Sequence, residues 1–424
     1  MALAMDTATG TPAAEVEVNG RRYALPHRPV AVICYDGCDP AYVAAAREAG
    51  IVPHLARMMD EGFAATALAA MPTFTNPNNV SIVTGAPPAV HGISGNYYYD
   101  AATGREIMML DAEGMRGGTV LAALAAAGVR VAAVTAKDKL LKALAKDLAG
   151  IAFSAERADE ATLAANGIED ATRLVGRPAP EPYVPDLSLF VLDAGVRLIG
   201  EGMADVAYLS LSDLVQHSHA PGTPEANAFM AAVDQRVGAL LAAGAVVGIV
   251  ADHGMNDMAE DGGAARVTYL ADRLDAAFGE GRTRVVCPIT DPFVRHHGAL
   301  GGFVRVHVTD PALAAAEVLA AVAAMDGVGE ALSGAEAAAR FELPPEREGD
   351  VVAIGAPNVA LGAHAADHDL SALAGTRLRS HGGLAEQRVP FVLSHPLTDA
   401  YRAKAAGPLR NFDIFDFALN GVRG

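Results

Sequence analysis

Four places in the chain carry an aspartate, a histidine or both beside a short apolar run. Asp36 follows VAVICY (30–35), Asp213 and His217 follow VAYLSL (206–211), Asp252 and His253 follow VVGIVA (246–251), and His381 stands shortly before VPFVLS (389–394). Three carboxylates and three imidazoles are the donor chemistry of two divalent cations, and zinc, manganese and iron all suit that set. Asp213 and His217 are four residues apart, so one helical turn aims both at a single point. Asp252 and His253 are adjacent, which on an irregular loop lets them diverge toward two ions. A pair of ions held this way activates a nucleophile on one and holds a leaving group with the other.

The segment 71-MPTFTNPNNVSIVTGAPPAVHG-92 offers the nucleophile. Pro72 breaks the preceding strand AATALAA, and Pro77 suits the first turn of a helix running through NVSIVTG. Thr75 then sits at the helix N-terminus, where exposed N–H groups and the dipole favour negative charge. It reads either as a helix cap or as an alkoxide facing phosphorus from a metal. Six candidate ligands elsewhere favour the nucleophile. His364 and His368 form a second i, i+4 pair near His381, but His381 is preferred because it abuts the last sheet strand.

The elements that must position these residues alternate along the chain. VAVICY, VRVAAV (129–134), VAYLSL, VVGIVA and VPFVLS are continuous Val/Ile-rich runs, as strands of a parallel sheet covered on both faces require. Helical patterns fall near 41–49, 53–61, 117–127, 158–166, 187–201 and 225–243. The fold class is therefore α/β, a doubly wound and mostly parallel sheet. The interval 260–375 differs, with FVRVHV (303–308), a helix near 311–325 and VVAIGA (351–356), and reads as an inserted α+β cap. The core is then 29–259 and 376–424, with 1–28 as a poorly ordered or peripheral leader. Open parallel sheets place their chemistry beyond the carboxyl ends of the strands, which is where the Asp and His residues fall.

The 424 residues are 51% hydrophobic and 19% charged, enough for a large core in two or three units. A net charge of −18 argues against a nucleic-acid partner. No apolar run reaches the length of a membrane span, and three cysteines make no disulfide framework, so a cytoplasmic protein is expected. The oligomeric state is not legible. Lysine occurs five times against 27 arginines, and four of the five fall within 137–146. Lys137 and Lys139, two apart on an extended segment, would reach one anion together. Arg295, in Arg295-His296-His297, is a further cationic candidate or an exposed loop residue.

Taken together, these motifs resemble the alkaline phosphatase superfamily, in its nucleotide pyrophosphatase/phosphodiesterase-like branch, from Asp36 to His381. Thr75-Asn76-Pro77-Asn78 followed by Ser81-Ile82-Val83-Thr84-Gly85 is similar to that branch's nucleophile segment. Asp252-His253-Gly254-Met255 and Asp213 to His217 are similar to its metal motifs. The resemblance implies two zinc ions, one on Asp36, Thr75, Asp252 and His253, the other on Asp213, His217 and His381. It also implies that Asn96 holds a phosphoryl oxygen. The Ala136-Lys137-Asp138-Lys139-Leu140 segment resembles the phosphonoacetate hydrolases, in which the lysine pair binds the substrate carboxylate. That implies a small phosphonate substrate and C–P cleavage through a phosphothreonine. A phosphodiesterase with Tyr97-Tyr98-Tyr99 as a base slot, and a non-catalytic zinc- or phosphonate-binding protein, are the alternatives.

Overall fold

The computed structural model describes residues 14–100, 103–109, 111–291, 297–373 and 375–423. Its centre is a seven-stranded sheet in the order Phe63–Leu68, Arg388–Leu393, Val246–Val250, Val30–Cys34, Val206–Ser210, Val131–Thr135, Ile151–Ser154. The pairs from Val246–Val250 to Ile151–Ser154 are all parallel. Arg388–Leu393 is antiparallel to both of its neighbours, so it alone in the sheet runs against the rest. This reversal differs from the parallel reading of VPFVLS and has a functional consequence. The start of that strand lies at the edge where the others end, which brings His381 to the same edge as Asp36, Asp213 and Asp252.

The four central strands are buried along their whole length, which is why their sequences do not alternate. Helices such as Pro40–Glu48, Pro53–Glu61, Asp186–Gly200 and Pro224–Ala242 pack about them. Each of Pro40–Glu48 and Pro224–Ala242 begins with proline behind a capping side chain, Asp39 and Thr223 respectively. A second, four-stranded antiparallel sheet runs Thr283–Val286, Phe303–Val308, Val351–Gly355, Val328–Ser333 and has its own apolar core. Among the described residues no helix is long and apolar enough to cross a membrane.

Several local expectations need correction. The 158–166 pattern is a 3-10 turn, Ala155–Glu160, then a separate one-turn helix, Leu163–Asn166. Thr162 starts the second piece by accepting the Ala165 N–H, so the chain caps and restarts rather than continuing. The helix expected at 117–127 is Val120–Ala126, because Thr119 caps it and leaves the two preceding glycines outside. Within the 1–28 leader, residues 1–13 lie outside the described residues, while Glu15–Val18 and Arg21–Ala24 pair as a hairpin with Val18 and Tyr23 buried.

Candidate metal and catalytic site

Asp36 occupies the turn after Val30–Cys34. That turn needs Gly37, whose φ is +68° and whose absent Cβ would stand 3.1 Å from the Asp213 Cβ. The two carboxylate-bearing loops can therefore close on each other. Asp213 precedes the short helix Leu214–Ser218, and the His217 N–H donates to the Asp213 carbonyl at 3.0 Å. The expected helical turn between them is present. Asp36, Asp252 and His253 are fully buried, and Asp213, His217 and His381 nearly so.

The three imidazoles are oriented in the same way. Each Nδ1 lies against a backbone carbonyl: His217 on Arg379 at 2.7 Å, His253 on Gly254 at 2.8 Å and His381 on Thr73 at 2.7 Å. A carbonyl only accepts, so each Nδ1 carries a proton and each ring turns its Nε2 toward the carboxylates. His217 Nε2 is 2.9 Å from Asp213 Oδ2, and His253 Nε2 is 3.4 Å from Asp36 Oδ1. His381 Nε2 is 3.9 Å from Asp213 Oδ2. Buried acceptors facing one another at these separations require a second proton or a cation between them. Donors about 2.0–2.1 Å from a tetrahedral ion would lie ~3.3 Å apart, within the spread observed.

Two triads have donor atoms all within 4.8 Å of one another: Asp36, Asp252 and His253, and Asp213, His253 and His381. The buried Asp36 Oδ1 has no hydrogen-bond partner among the described residues. Burial, then the Asp213 and Asp252 charges, hold the Asp36 carboxyl well above its usual range. Burial, then His253 and His217, hold His381 well below the ordinary imidazole value, so it is neutral. A neutral His381, imidazole Nε2 atoms aimed inward and undercompensated carboxylates fit a divalent cation. Asn79 steadies this arrangement by donating to Asp252 Oδ2 at 3.2 Å while accepting from the Tyr208 and Ser210 hydroxyls.

Thr75 is the first residue of the helix Thr75–Thr84, and Phe74, not Thr75, occupies the capping position. The Thr75 hydroxyl lies 3.3 Å from His253 Nε2 and lines a cleft with Asn96, Lys137, Lys139, Asp213 and His381. The cap reading is thereby removed, and the hydroxyl belongs to the Asp/His cluster. Asn78 shapes the turn into this helix by bonding the Ala70 N–H and carbonyl at 2.7 and 3.0 Å. Gly382 lets His381 pack beside it, since its φ is +125° and a Cβ there would meet the Phe74 ring at 2.4 Å.

Asn96 lies in a loop fastened to the nucleophile's helix. Its N–H donates to Pro288 and its amide to Ile289, at 2.8 and 3.3 Å. The fully buried Arg305, bidentate to Glu348 at 2.7 Å, also donates to the Ser94 carbonyl at 3.0 Å. The His91 Nδ1 accepts the Ile93 N–H at 3.1 Å, so the proton sits on Nε2 and is donated to Ser81 Oγ at 2.8 Å. Burial, helped by Arg116 and Arg347, pushes His91 down to about 3 from 6.5. Its folded pKa is depressed, so the unfolded chain binds a proton near 6.5 that the fold refuses until about pH 3. Stability from this site is present above pH 6.5 and is lost as pH falls toward 3. Thermal unfolding of wild type should show that decline, and His91→Gln should flatten part of it.

Lys137 is extended and stands just before the helix Asp138–Leu144, so Lys139 belongs to that helix's first turn and not to an extended segment. Both still line the cleft, because helical side chains lean toward the N-terminus. The Lys137 ammonium bonds Asp213 Oδ1 at 2.7 Å and lies 3.5 Å from Asp36. Burial opposes its charge, yet Asp213 and Asp36 outweigh that and raise its pKa. Lys139 pairs with Asp291.

Asp291 and His297 also line the cleft, although neither follows an apolar run in the sequence. Burial, then His217, pushes His297 down to about 3. Arg295 lies outside the described residues. His364 bonds Asp275 and Asp367, and His368 bonds Gly298 and Ala363, so this pair does not join the cluster. Tyr97, Tyr98 and Tyr99 are not among the cleft-lining residues. Tyr97 bonds Glu106, Tyr98 lies under Arg347 at 4.8 Å, and Tyr99 packs on His307 at 4.9 Å.

Residues 30–382 match the type I phosphodiesterase / nucleotide pyrophosphatase family. Murine ectonucleotide pyrophosphatase / phosphodiesterase 5 shares the fold with a TM-score of 0.61 at 16% identity, over 92% of this chain and 94% of that one. This is the alkaline phosphatase superfamily, and the chain is a hydrolase of its nucleotide pyrophosphatase/phosphodiesterase-like branch. Two crystal structures of phosphonoacetate hydrolase from Sinorhizobium meliloti 1021, in complex with phosphonoformate and with phosphonoacetate, are much more similar. Each has a TM-score of 0.91 and 45% identity over 96% of this chain and 99% of the other. The chain belongs to the phosphonoacetate hydrolase family.

Proposed function

We propose that the protein cleaves the C–P bond of phosphonoacetate, giving acetate and phosphate through a phosphorylated Thr75. The observation that carries this reading is the cleft itself, which joins the Thr75 hydroxyl, the Asp/His cluster and the Lys137–Lys139 pair. The Sinorhizobium structures with phosphonoacetate and phosphonoformate support the same substrate class. Residues 29–259 and 376–424 form the metal-binding core in this reading, and 260–375 the inserted cap. The metal-binding, cytoplasmic hydrolase needs no membrane or nucleic-acid partner.

Two divalent cations, zinc first by donor chemistry, would be held by Asp36, Thr75, Asp252 and His253 and by Asp213, His217 and His381, supplying acidity for the Thr75 hydroxyl and charge for the phosphoryl oxygens. Thr75 Oγ1 gives up its proton to solvent and attacks phosphorus in line, and the C–P electron pair leaves on carbon. An isolated carbanion is a poor leaving group, but the adjacent carboxylate delocalises the charge as an enediolate. Lys137 and Lys139 lie where that charge develops, which is the condition for lowering the barrier and not merely for binding. The Asn96 amide holds a phosphoryl oxygen. Solvent protonates the carbon to give acetate, and water then hydrolyses the phosphothreonine to restore the Thr75 hydroxyl.

The test compares metal-titrated protein on phosphonoacetate and on a nitrophenyl phosphodiester. Turnover should favour the phosphonate, disappear with a chelator and return with zinc, while the chelator also lowers the thermal midpoint by freeing buried carboxylates to repel one another. Turnover of the diester alone would transfer the protein to the phosphodiesterase reading. Metal binding with no turnover of either would make it a binding protein.

A further inference from the structure

The two lysines of the cleft do not have equivalent surroundings. Lys137 faces Asp213 and Asp36, both candidate metal donors. Lys139 is paired with Asp291, which belongs to neither donor triad, and the side chains are only 16% and 8% exposed. Asp291 is carried beyond Thr283–Val286, far from Lys139 in sequence, and both residues face the same cleft as Thr75. A carboxylate at the substrate-anion end of such a cleft is unexpected on affinity grounds, because it repels the ligand's own carboxylate. Its value must lie in what it does to Lys139.

We propose that Asp291 is a positioning residue that keeps the Lys139 ammonium charged and aimed into the cleft. Three influences push the proton off Lys139. Its burial comes first, the Lys137 ammonium two residues away adds to it, and the positive end of the helix Asp138–Leu144 disfavours a cation in its first turn. Asp291 opposes them by charge and by hydrogen bond, with a smaller contribution from Asp213, and the net pKa still falls below 10.5. The neutral His297 lines the same cleft and offers no compensating charge. Without Asp291 the amine would lose its proton at a lower pH, and a neutral amine neither attracts a carboxylate nor stabilises developing charge. Because Asp291 is outside the candidate metal donors, its pairing with Lys139 persists when ions engage the carboxylates of the core.

The experiment exploits the scarcity of lysine. Protein labelled at lysine 13Cε shows five resonances, and Lys139→Arg assigns the one in question. In zinc-loaded protein the Lys139 signal should titrate below its ordinary value, and in Asp291→Asn it should move down by about one further pH unit or more. Asp291→Glu should restore it, and the exposed Lys404 signal serves as the control for folding. The alkaline limb of kcat/KM for phosphonoacetate should shift down by the same amount in Asp291→Asn. It should not shift between Lys139→Arg and the Lys139→Arg/Asp291→Asn pair, because a guanidinium keeps its charge. A Lys139 titration unchanged by Asp291→Asn overturns the inference. The activity arm rests on the phosphonoacetate reading, whereas the titration does not. Absent turnover in wild type would therefore sink that reading and leave the resonance to decide the role of Asp291.

Discussion

Thr75→Ala should give a folded, metal-binding protein whose turnover of phosphonoacetate is reduced by about 10⁴-fold or more, the scale seen when a covalent nucleophile is removed. Folding should survive because the hydroxyl does not cap its helix. Phe74 holds the capping position, and the helix Thr75–Thr84 is anchored by buried side chains such as Val80, Ile82 and Val83. Metal should remain because the donor atoms of Asp36, Asp252 and His253, and of Asp213, His253 and His381, converge without Thr75, with His217 beside Asp213. Thr75→Ser keeps an oxygen at the position 3.3 Å from His253 Nε2 and should recover a substantial part of the activity. The measurement is steady-state turnover beside metal stoichiometry for all three proteins. Activity of Thr75→Ala within tenfold of wild type would remove Thr75 as the nucleophile.

Lys139→Ala should depress phosphonoacetate turnover by about ten- to a hundredfold, the worth of a charge-assisted hydrogen bond of ~1.5–3 kcal/mol. An aryl phosphate ester offers no carboxylate to the lysines, and its leaving oxygen needs no enediolate, so its turnover should fall less than tenfold. The contrast follows from differential stabilisation: a contact made to charge that exists only on the phosphonate path affects only that path. Lys137→Ala should show the same preference with an added general loss, because its ammonium also balances Asp213 and Asp36. Equal losses on both substrates for Lys139→Ala would mean that the lysine only supports the fold. The helix Asp138–Leu144 makes that a real alternative, since it packs against Val131–Thr135 and the Thr75 helix.

The clustering of the Asp and His residues was legible because a parallel sheet exports its loops at one edge, so apolar runs ending in Asp or Asp-His mark that edge without knowledge of contacts. His381 was legible for a different reason than a parallel sheet supplies. It precedes its strand, and the antiparallel direction of Arg388–Leu393 is what returns it to the others. Strand direction is set by tertiary packing and leaves no trace in a continuous apolar run. The Lys137–Lys139 pairing was legible as a concentration of charge, although the extended geometry assumed for it was not, since a seven-residue helix is too short to announce itself by periodicity. Asp291, His297 and Asn79 were invisible as site residues. The first two lie outside the strands and helices, with no sheet-strand end to mark them, and Asn79 reaches the cluster through Asp252 and the Thr75 carbonyl.

The central claim is C–P cleavage with charge departing on carbon, and one measurement addresses it directly. Zinc-loaded protein is given phosphonoacetate in D₂O, and the products are followed together by phosphorus and proton NMR. Phosphate and acetate should appear one to one, with a single deuterium entering each acetate methyl group as solvent protonates the carbanion. Unchanged phosphonoacetate from a protein that binds both metals and hydrolyses a phosphodiester would contradict the account.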